Sequence, residues 1–411
     1  MRAVTSHELL AEAKARPDVL ERLIAVGTIR PLADGRFDAR DEFVVSVAMA
    51  LLGAGIALDD LGWALDNRRF GLRSLGVMFS EPVPRTVASY AELVSGLGAG
   101  SVSFPAVYAA LGLPEPEPGD HPREDEARLL AEFMQLWGLV DPTGDVQVRV
   151  ARMVGEGTRR IAEGWLDAWD EVAKPGPTTQ GGPTVGPKAY PEDPTDPEQN
   201  PSIKMGELAR QLVNLVHERQ VEATLTSRII GAMEGMLGRE GRLPSRPQRP
   251  PAVAFVDVAG FTTMTVQRGD EIAAEVATKL FVIADDRVRE VRGRVVKQLG
   301  DGVLLRFVDS VTAIQSVMAI LAAMPAAGLP AGHAGIAAGP VIVRDGDVFG
   351  ATVNLASRIA DRAGTGEMLV EEGVVVALPR GMASFEPLGR IELKGFPEPV
   401  ALWRARPPMV T

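Results

Sequence analysis

Apolar positions in the first 173 residues recur every three to four places, and short polar turns separate the runs. DEFVVSVAMALLGAGIALDDLGWAL (41–65), REDEARLLAEFMQLWGLV (123–140) and VQVRVARMVGEGTRRIAEGWLDAWDEVAK (146–174) read as successive amphipathic helices. The spacing predicts an all-α domain over 1–174. The segment 175–201, PGPTTQGGPTVGPKAYPEDPTDPEQNP, holds eight prolines and four glycines. Such a composition cannot bury a core, so 175–202 is expected to be a linker. A helix over 203–237 follows. Met205, Leu208, Leu212 and Leu215 keep a three-to-four spacing on it, and Leu225, Ile229, Met233 and Met236 resume it. That stripe suits packing either on a second copy of the chain or on the chain's own first domain. GREGRLPSRPQRPP (238–251) breaks the helix and closes a connecting segment, 203–250.

From residue 252 the period changes. AVAFVDVAGF reads as a buried strand, and a helix over 270–292 follows it. In VVKQLGDGVLLRF (295–307) two apolar runs flank Gly-Asp-Gly, the pattern of a β-hairpin. DSVTAIQSVMAILAAM (309–324) is helical, HAGIAAGPVIVRDG (333–346) a strand pair, and ATVNLASRIADRA (351–363) a helix. Strands joined partly by hairpins and partly by helices predict an α+β domain over 251–411, a mixed sheet with helices on one face.

Composition narrows the setting. There is no cysteine, which excludes a disulfide framework and thiolate metal sites. With polar residues after Met1 and no signal-peptide pattern, a reducing, cytoplasmic location is expected. The longest clean apolar run, FVVSVAMALLGAGIAL (43–58), is shorter than the roughly 18–20 residues of a membrane span, so none is predicted. The net charge of −11 leans away from a general polyanion binder, and most of the acid excess lies in the first half.

A few residues could carry chemistry. Asp257 interrupts an apolar strand, where an acid is costly without a partner, and Asp301 sits at a hairpin tip. Two carboxylates with phosphate oxygens suit a divalent cation. Spacing alone favours ordinary strand-end aspartates. Gly260, Phe261 and Thr262 open a turn past a strand end, where backbone N–H groups can cradle phosphate. Asn354 and Arg358 lie four apart and share a helix face, with Asp347 before the helix. A solvated helix face fits that spacing as well.

FVDVAGFT, KQLGD and DVFGATVNLASR, in this order and with these gaps, resemble the class III nucleotide cyclase catalytic domain over 252–406. The resemblance implies a ferredoxin-like, palm-type fold. Asp257 and Asp301 would be the aspartates that hold two divalent cations, Mg²⁺ or Mn²⁺. Lys297 and Asp347 would recognise adenine, and Asn354 and Arg358 would serve the transition state. A lysine donor and an aspartate acceptor complement the adenine N1 acceptor and N6 donor, whereas guanine reverses that pattern, so ATP is expected over GTP. The resemblance also implies a homodimer with each site across the interface. Asp257 and Asp301 would come from one chain, and Lys297, Asp347, Asn354 and Arg358 from the other.

The order of helical domain, connecting helix and cyclase domain is similar to soluble actinobacterial-type adenylate cyclases with an N-terminal regulatory domain, with the pattern matching over about 123–174 and 203–250. That likeness implies control by the first domain, with acidity as the signal and a lipid or fatty acid as a candidate ligand. The segment 175–201 looks like an insertion in that pattern. Residues 20–65 resemble a MerR-type winged helix, but ADGRFDARDE is acid-balanced and aromatic-poor, a weak phosphate footprint, so nucleic acid is not the expected partner. Of the four histidines, His7, His121, His217 and His333, the one in NLVHERQ, His217, is the candidate acidity sensor. The competing reading is a nucleotide-binding regulator or DNA-binding protein with a catalytically retired cyclase domain. The six intact positions argue against it. A diguanylate-type cyclase is excluded by the lack of a GG(D/E)EF segment.

Overall fold

The structure is a computed structural model that describes residues 2–66, 82–97, 104–113, 116–141, 143–173, 201–242, 250–291 and 293–408. The Pro-rich segment 175–200 lies outside them. The chain divides into two compact units, Met1–Met233 and Glu234–Thr411.

The first unit is helical apart from one short ladder, β1 (Ala3–Val4) against β2 (Phe37–Asp38). Its helices are α1 (Ser6–Glu12), α2 (Pro17–Ala25), α3 (Asp41–Gly53), α4 (Leu58–Asp66), α5 (Tyr90–Gly96), α6 (Phe104–Ala110), α7 (Glu124–Val140), α8 (Asp145–Ala173) and α9 (Pro201–Arg239), the last running on past the unit boundary. Thr5 starts α1 with a capping box: its Oγ1 accepts from the Glu8 N–H at 3.2 Å, and Glu8 Oε2 accepts from the Thr5 N–H at 2.7 Å. The apolar run 41–65 is two helices. Gly55 adopts φ +94° and turns the chain between α3 and α4, a conformation that glycine enters freely. Leu9, Leu23, Ile29, Val44 and Val45 form one core, and Tyr90, Phe104, Val107, Met134 and Ala151 a second. Glu42 is buried and receives Arg85 Nη2 at 2.7 Å and Arg123 Nη2 at 3.0 Å. On α9, Leu208, Leu212, Leu215, Leu225, Ile229, Met233 and Met236 are exposed in the single chain.

The second unit comprises β3 (Ala252–Val258), α10 (Phe261–Arg268), α11 (Asp270–Arg289), β4 (Arg294–Leu299), β5 (Gly302–Phe307), α12 (Ser310–Ala326), β6 (Gly332–Ala338), β7 (Ile342–Arg344), β8 (Asp347–Phe349), α13 (Ala351–Arg362), β9 (Met368–Glu371), α14 (Glu372–Val376), β10 (Ser384–Ile391) and β11 (Val400–Arg406). Seven strands form one sheet in the order β10-β11-β9-β6-β3-β5-β4, and β7 and β8 form a separate hairpin. Only the β6–β9 pairing is parallel. The fold is α+β, but its helices cover both faces of the sheet instead of one. Successive strand side chains point to opposite faces. Ala252, Ala254 and Val256 face a core with α11 and α12, whereas Val253 joins Val353, Ala356 and Ile359 of α13 on the other side. Both faces of β3 are apolar, so both need a cover. α13 approaches closely because residue 335 is glycine: a Cβ there would lie 2.1 Å from the Ala360 nitrogen. Among the described residues no helix is long and apolar enough to cross a membrane.

Candidate active site

The β3 alternation decides where Asp257 points. It shares parity with Val253 and so lies on the α13 face, at the end of the strand. Its cross-strand neighbours are Gly302 on β5 and His333 on β6, and residues directly opposite share a face. The glycine is required: a Cβ on Gly302 would sit 1.7 Å from Asp257 Oδ1. The hairpin between β4 and β5 turns through Gly300, at φ +63°, and Asp301. The Val258 N–H donates to the Asp301 carbonyl at 3.1 Å, which ties the hairpin tip to the end of β3.

The carboxyl of Asp257 is pushed up to about 6, chiefly by burial, then by the charges of Asp301 and Asp361. Among the described residues no N–H or hydroxyl donates to the side-chain carboxylate of Asp257 or Asp301 at hydrogen-bond distance. The His333 imidazole stands across from Asp257, with Nε2 at 3.9 Å from Asp257 Oδ2. Burial holds the His333 imidazole below its usual range, opposed by Asp301 and Asp361.

This donor set fits a hard divalent cation. It offers carboxylate oxygens that lack protein donors, in a space kept clear by Gly302. Among the described residues no group of three or more His, Asp or Glu side chains forms a ready metal cage. That agrees with a cation that takes one or two carboxylates and fills its remaining positions with phosphate oxygens and water.

Lys297 reaches the same face through a bulge. The β4–β5 register pairs Val295 with Leu305 and then Lys297 with Leu304, leaving Val296 as the extra residue. Leu304 belongs to the α13-side core, so Lys297 stands on that side too. Its Nζ donates to Asp347 Oδ2 at 2.6 Å. The Asp347 carboxyl lies below its usual range: partial burial raises it, but the bonds from Lys297 and from the Val348 N–H outweigh burial. β7 and β8 bring Asp347 there through a tight Asp345-Gly346 turn, with both residues at positive φ.

Asn354 and Arg358 both lie on α13. Asn354 is exposed, and Arg358 Nη1 donates to Asp361 Oδ2 at 2.7 Å. Gly260, at φ +71°, precedes α10, whose first residues Phe261 and Thr262 have no side-chain cap. His217 is exposed on α9. Sequence reasoning named His333 only as one of four histidines and passed over Asp361. The strand register that sets His333 opposite Asp257 joins positions 76 residues apart, beyond the reach of local pattern.

No family model matches the chain. An adenylate cyclase of Streptomyces griseus is 33% identical over 259 residues, 62% of this chain and 60% of its own length. An adenylate cyclase of Streptomyces coelicolor is 32% identical over 62% of both chains. The match thus spans less than two thirds of either relative. A Mycobacterium tuberculosis protein named pH-sensitive adenylate cyclase is 26% identical over 71% of this chain and 70% of its own length. The solved adenylyl cyclase CyaB of P. aeruginosa aligns with 38% of this chain and 93% of its own, at 22% identity and a TM-score of 0.35. Over the matched part, the chain is similar in sequence to the two Streptomyces adenylate cyclases.

Proposed function

We propose that this chain converts ATP to 3′,5′-cyclic AMP and pyrophosphate, at sites shared between two copies. The observation that carries this reading is the Lys297–Asp347 pair on the sheet face that also holds Asp257. A donor and an acceptor side by side match the Watson–Crick edge of adenine, and the carboxylates stand ready for the polyphosphate end through a divalent cation.

In the reaction the ribose 3′-oxygen bonds to the α-phosphorus, the α–β bridging bond breaks, and pyrophosphate leaves as the hydroxyl proton is lost. Two divalent cations, Mg²⁺ or Mn²⁺, held by Asp257 and Asp301 would supply charge neutralisation and acidify the 3′-hydroxyl. Asn354 orients the ribose, and the Arg358 guanidinium, released from Asp361, stabilises charge on the phosphoryl oxygens. The N–H groups of Gly260, Phe261 and Thr262 cradle the phosphates. Lys297, Asp347, Asn354 and Arg358 act on the nucleotide whose metals the partner copy holds.

Residues 251–411 serve as the catalytic domain, 203–250 as the connecting helix and linker, 175–202 as a spacer and 1–174 as a regulatory domain. The name of the mycobacterial relative makes acidity the first signal to try, and His217 is the first residue to vary. Neither the described residues nor the relatives support a lipid or fatty-acid ligand. DNA binding is disfavoured because, within the winged-helix-like region 20–65, Arg36 is paired with Asp34 and Arg40 with Asp38. Incubating the purified full chain with ATP and Mn²⁺ or Mg²⁺ tests the reading. Cyclic AMP should form and vanish in Asp301→Ala; no product with either metal would refute it.

A further inference from the structure

The carboxylate site has a neighbour that the proposed reaction does not use. His333 faces Asp257 across the β3–β6 ladder, and both side chains are only partly exposed, at 20% and 26%. Their separation, 3.9 Å from Nε2 to Oδ2, is too long for a hydrogen bond. Two ligands bound to one first-row cation at about 2.0–2.2 Å each stand at most about 4.3 Å apart, so the separation lies within the span of a shared ion. Neither His333 ring nitrogen has a hydrogen-bond partner among the described residues, and neither carboxylate has a protein donor. Two polar side chains without hydrogen-bond partners, Asp257 and His333, therefore face each other at the strand ends, beside the hairpin tip that carries Asp301.

Ligand chemistry gives this arrangement a consequence. Oxygen-only sites suit Mg²⁺, whereas an imidazole nitrogen raises affinity for first-row transition cations, in the order that climbs from Mn²⁺ through Co²⁺. We propose that His333 is a nitrogen ligand to the cation held by Asp257, and that it biases the site toward Mn²⁺ and its first-row neighbours over Mg²⁺. The proposal rests on reading Asp257 and Asp301 as metal-holding residues. It needs no contribution from the partner copy, because all three residues belong to one chain.

The test is pulsed electron paramagnetic resonance on the full chain loaded with Mn²⁺ and inorganic tripolyphosphate, a nitrogen-free stand-in for the substrate's phosphates. Wild type should show ¹⁴N modulation on the Mn²⁺ signal. His333→Ala and His333→Asn should both lose it, with melting curves checking that each is folded. The free-Mn²⁺ signal measured alongside should show Mn²⁺ binding weakened about 10–100-fold in both variants, and Mg²⁺ should displace Mn²⁺ from them at correspondingly lower excess. Absence of ¹⁴N modulation in wild type, or its persistence in His333→Ala, would overturn the proposal. If His333→Ala is silent while Asp257→Asn and Asp301→Asn abolish Mn²⁺ binding, the metal site stands without its histidine. If the aspartate variants bind Mn²⁺ as wild type does, the reading of the carboxylate pair falls, and the proposal with it.

Discussion

Lys297 meets Asp347, fifty residues further along the chain, because β4 carries one extra residue. Without the bulge at Val296, Lys297 would take the place opposite Val303 and point toward the α11–α12 core. The bulge re-aims it to the α13 face and to Asp347. Losing a charged donor to the base should cost about 1.5–3 kcal/mol, or roughly 10–100-fold in kcat/KM. Lys297→Ala is expected to lower kcat/KM for ATP by that factor and to narrow the preference over GTP. Initial rates with both nucleotides check it.

Gly302 is a second point where one atom decides the geometry. A methyl group there would collide with the Asp257 carboxylate and crowd the Val256 carbonyl at 3.1 Å, so the carboxylate would have to swing away. Gly302→Ala should destabilise the protein by about 1–3 kcal/mol and depress metal-dependent activity more than tenfold. Denaturant melts and activity assays on the same preparation measure both. Wild-type activity in a fully folded variant would show that Asp257 need not stay where it is.

The raised pKa of Asp257 sets a stability signature in the absence of metal. Its folded value, about 6, lies above the ordinary aspartate value of 3.8, so the folded state favours the protonated form. Above both values the ionised carboxyl costs stability, on the order of 2 kcal/mol; the cost fades as pH falls through that window and vanishes below about pH 4. With chelator at pH 8, Asp257→Asn should therefore melt several degrees above wild type, and the gap should close toward pH 4. Adding Mn²⁺ at pH 8 should raise wild type more than the variant. Calorimetry across pH reads all three outcomes.

In the first unit, Glu42 neutralises two arginines inside the fold. Glu42→Ala would take the shared carboxylate from Arg85 and Arg123, leaving Arg85 only the carbonyls of His121 and Glu12. Because both guanidinium groups keep about a third of their exposure, the loss should be about 2–3 kcal/mol, less than for a fully buried pair. A urea melt of the full chain measures it, and Glu42→Gln should recover part of the loss.

Much of this was legible in the sequence, but unevenly. Period alone marked α7, α8 and α9 to within two residues of their ends, because long amphipathic helices repeat one pattern many times. It missed the break between α3 and α4, where Gly55 takes a conformation that an apolar run does not announce. It also missed the second helical face of the sheet: a strand apolar on both sides looks the same whether one or two layers cover it. The candidate residues were legible through their order and gaps. The bulge at Val296 and the partnership of Asp257 with His333 were not, since both depend on strand register set by distant pairing.

A cyclase site built from two chains can be tested by complementation. Asp301→Ala chains, inactive alone, and Lys297→Ala chains, weakened roughly 10–100-fold alone, are co-assembled, and the isolated heterodimer is assayed for cyclic AMP from ATP with Mn²⁺. One of its two sites would then combine the intact Asp301 of one chain with the intact Lys297 of the other. The account predicts that activity returns, to about half that of the wild-type dimer. A verified heterodimer that stays inactive would contradict it.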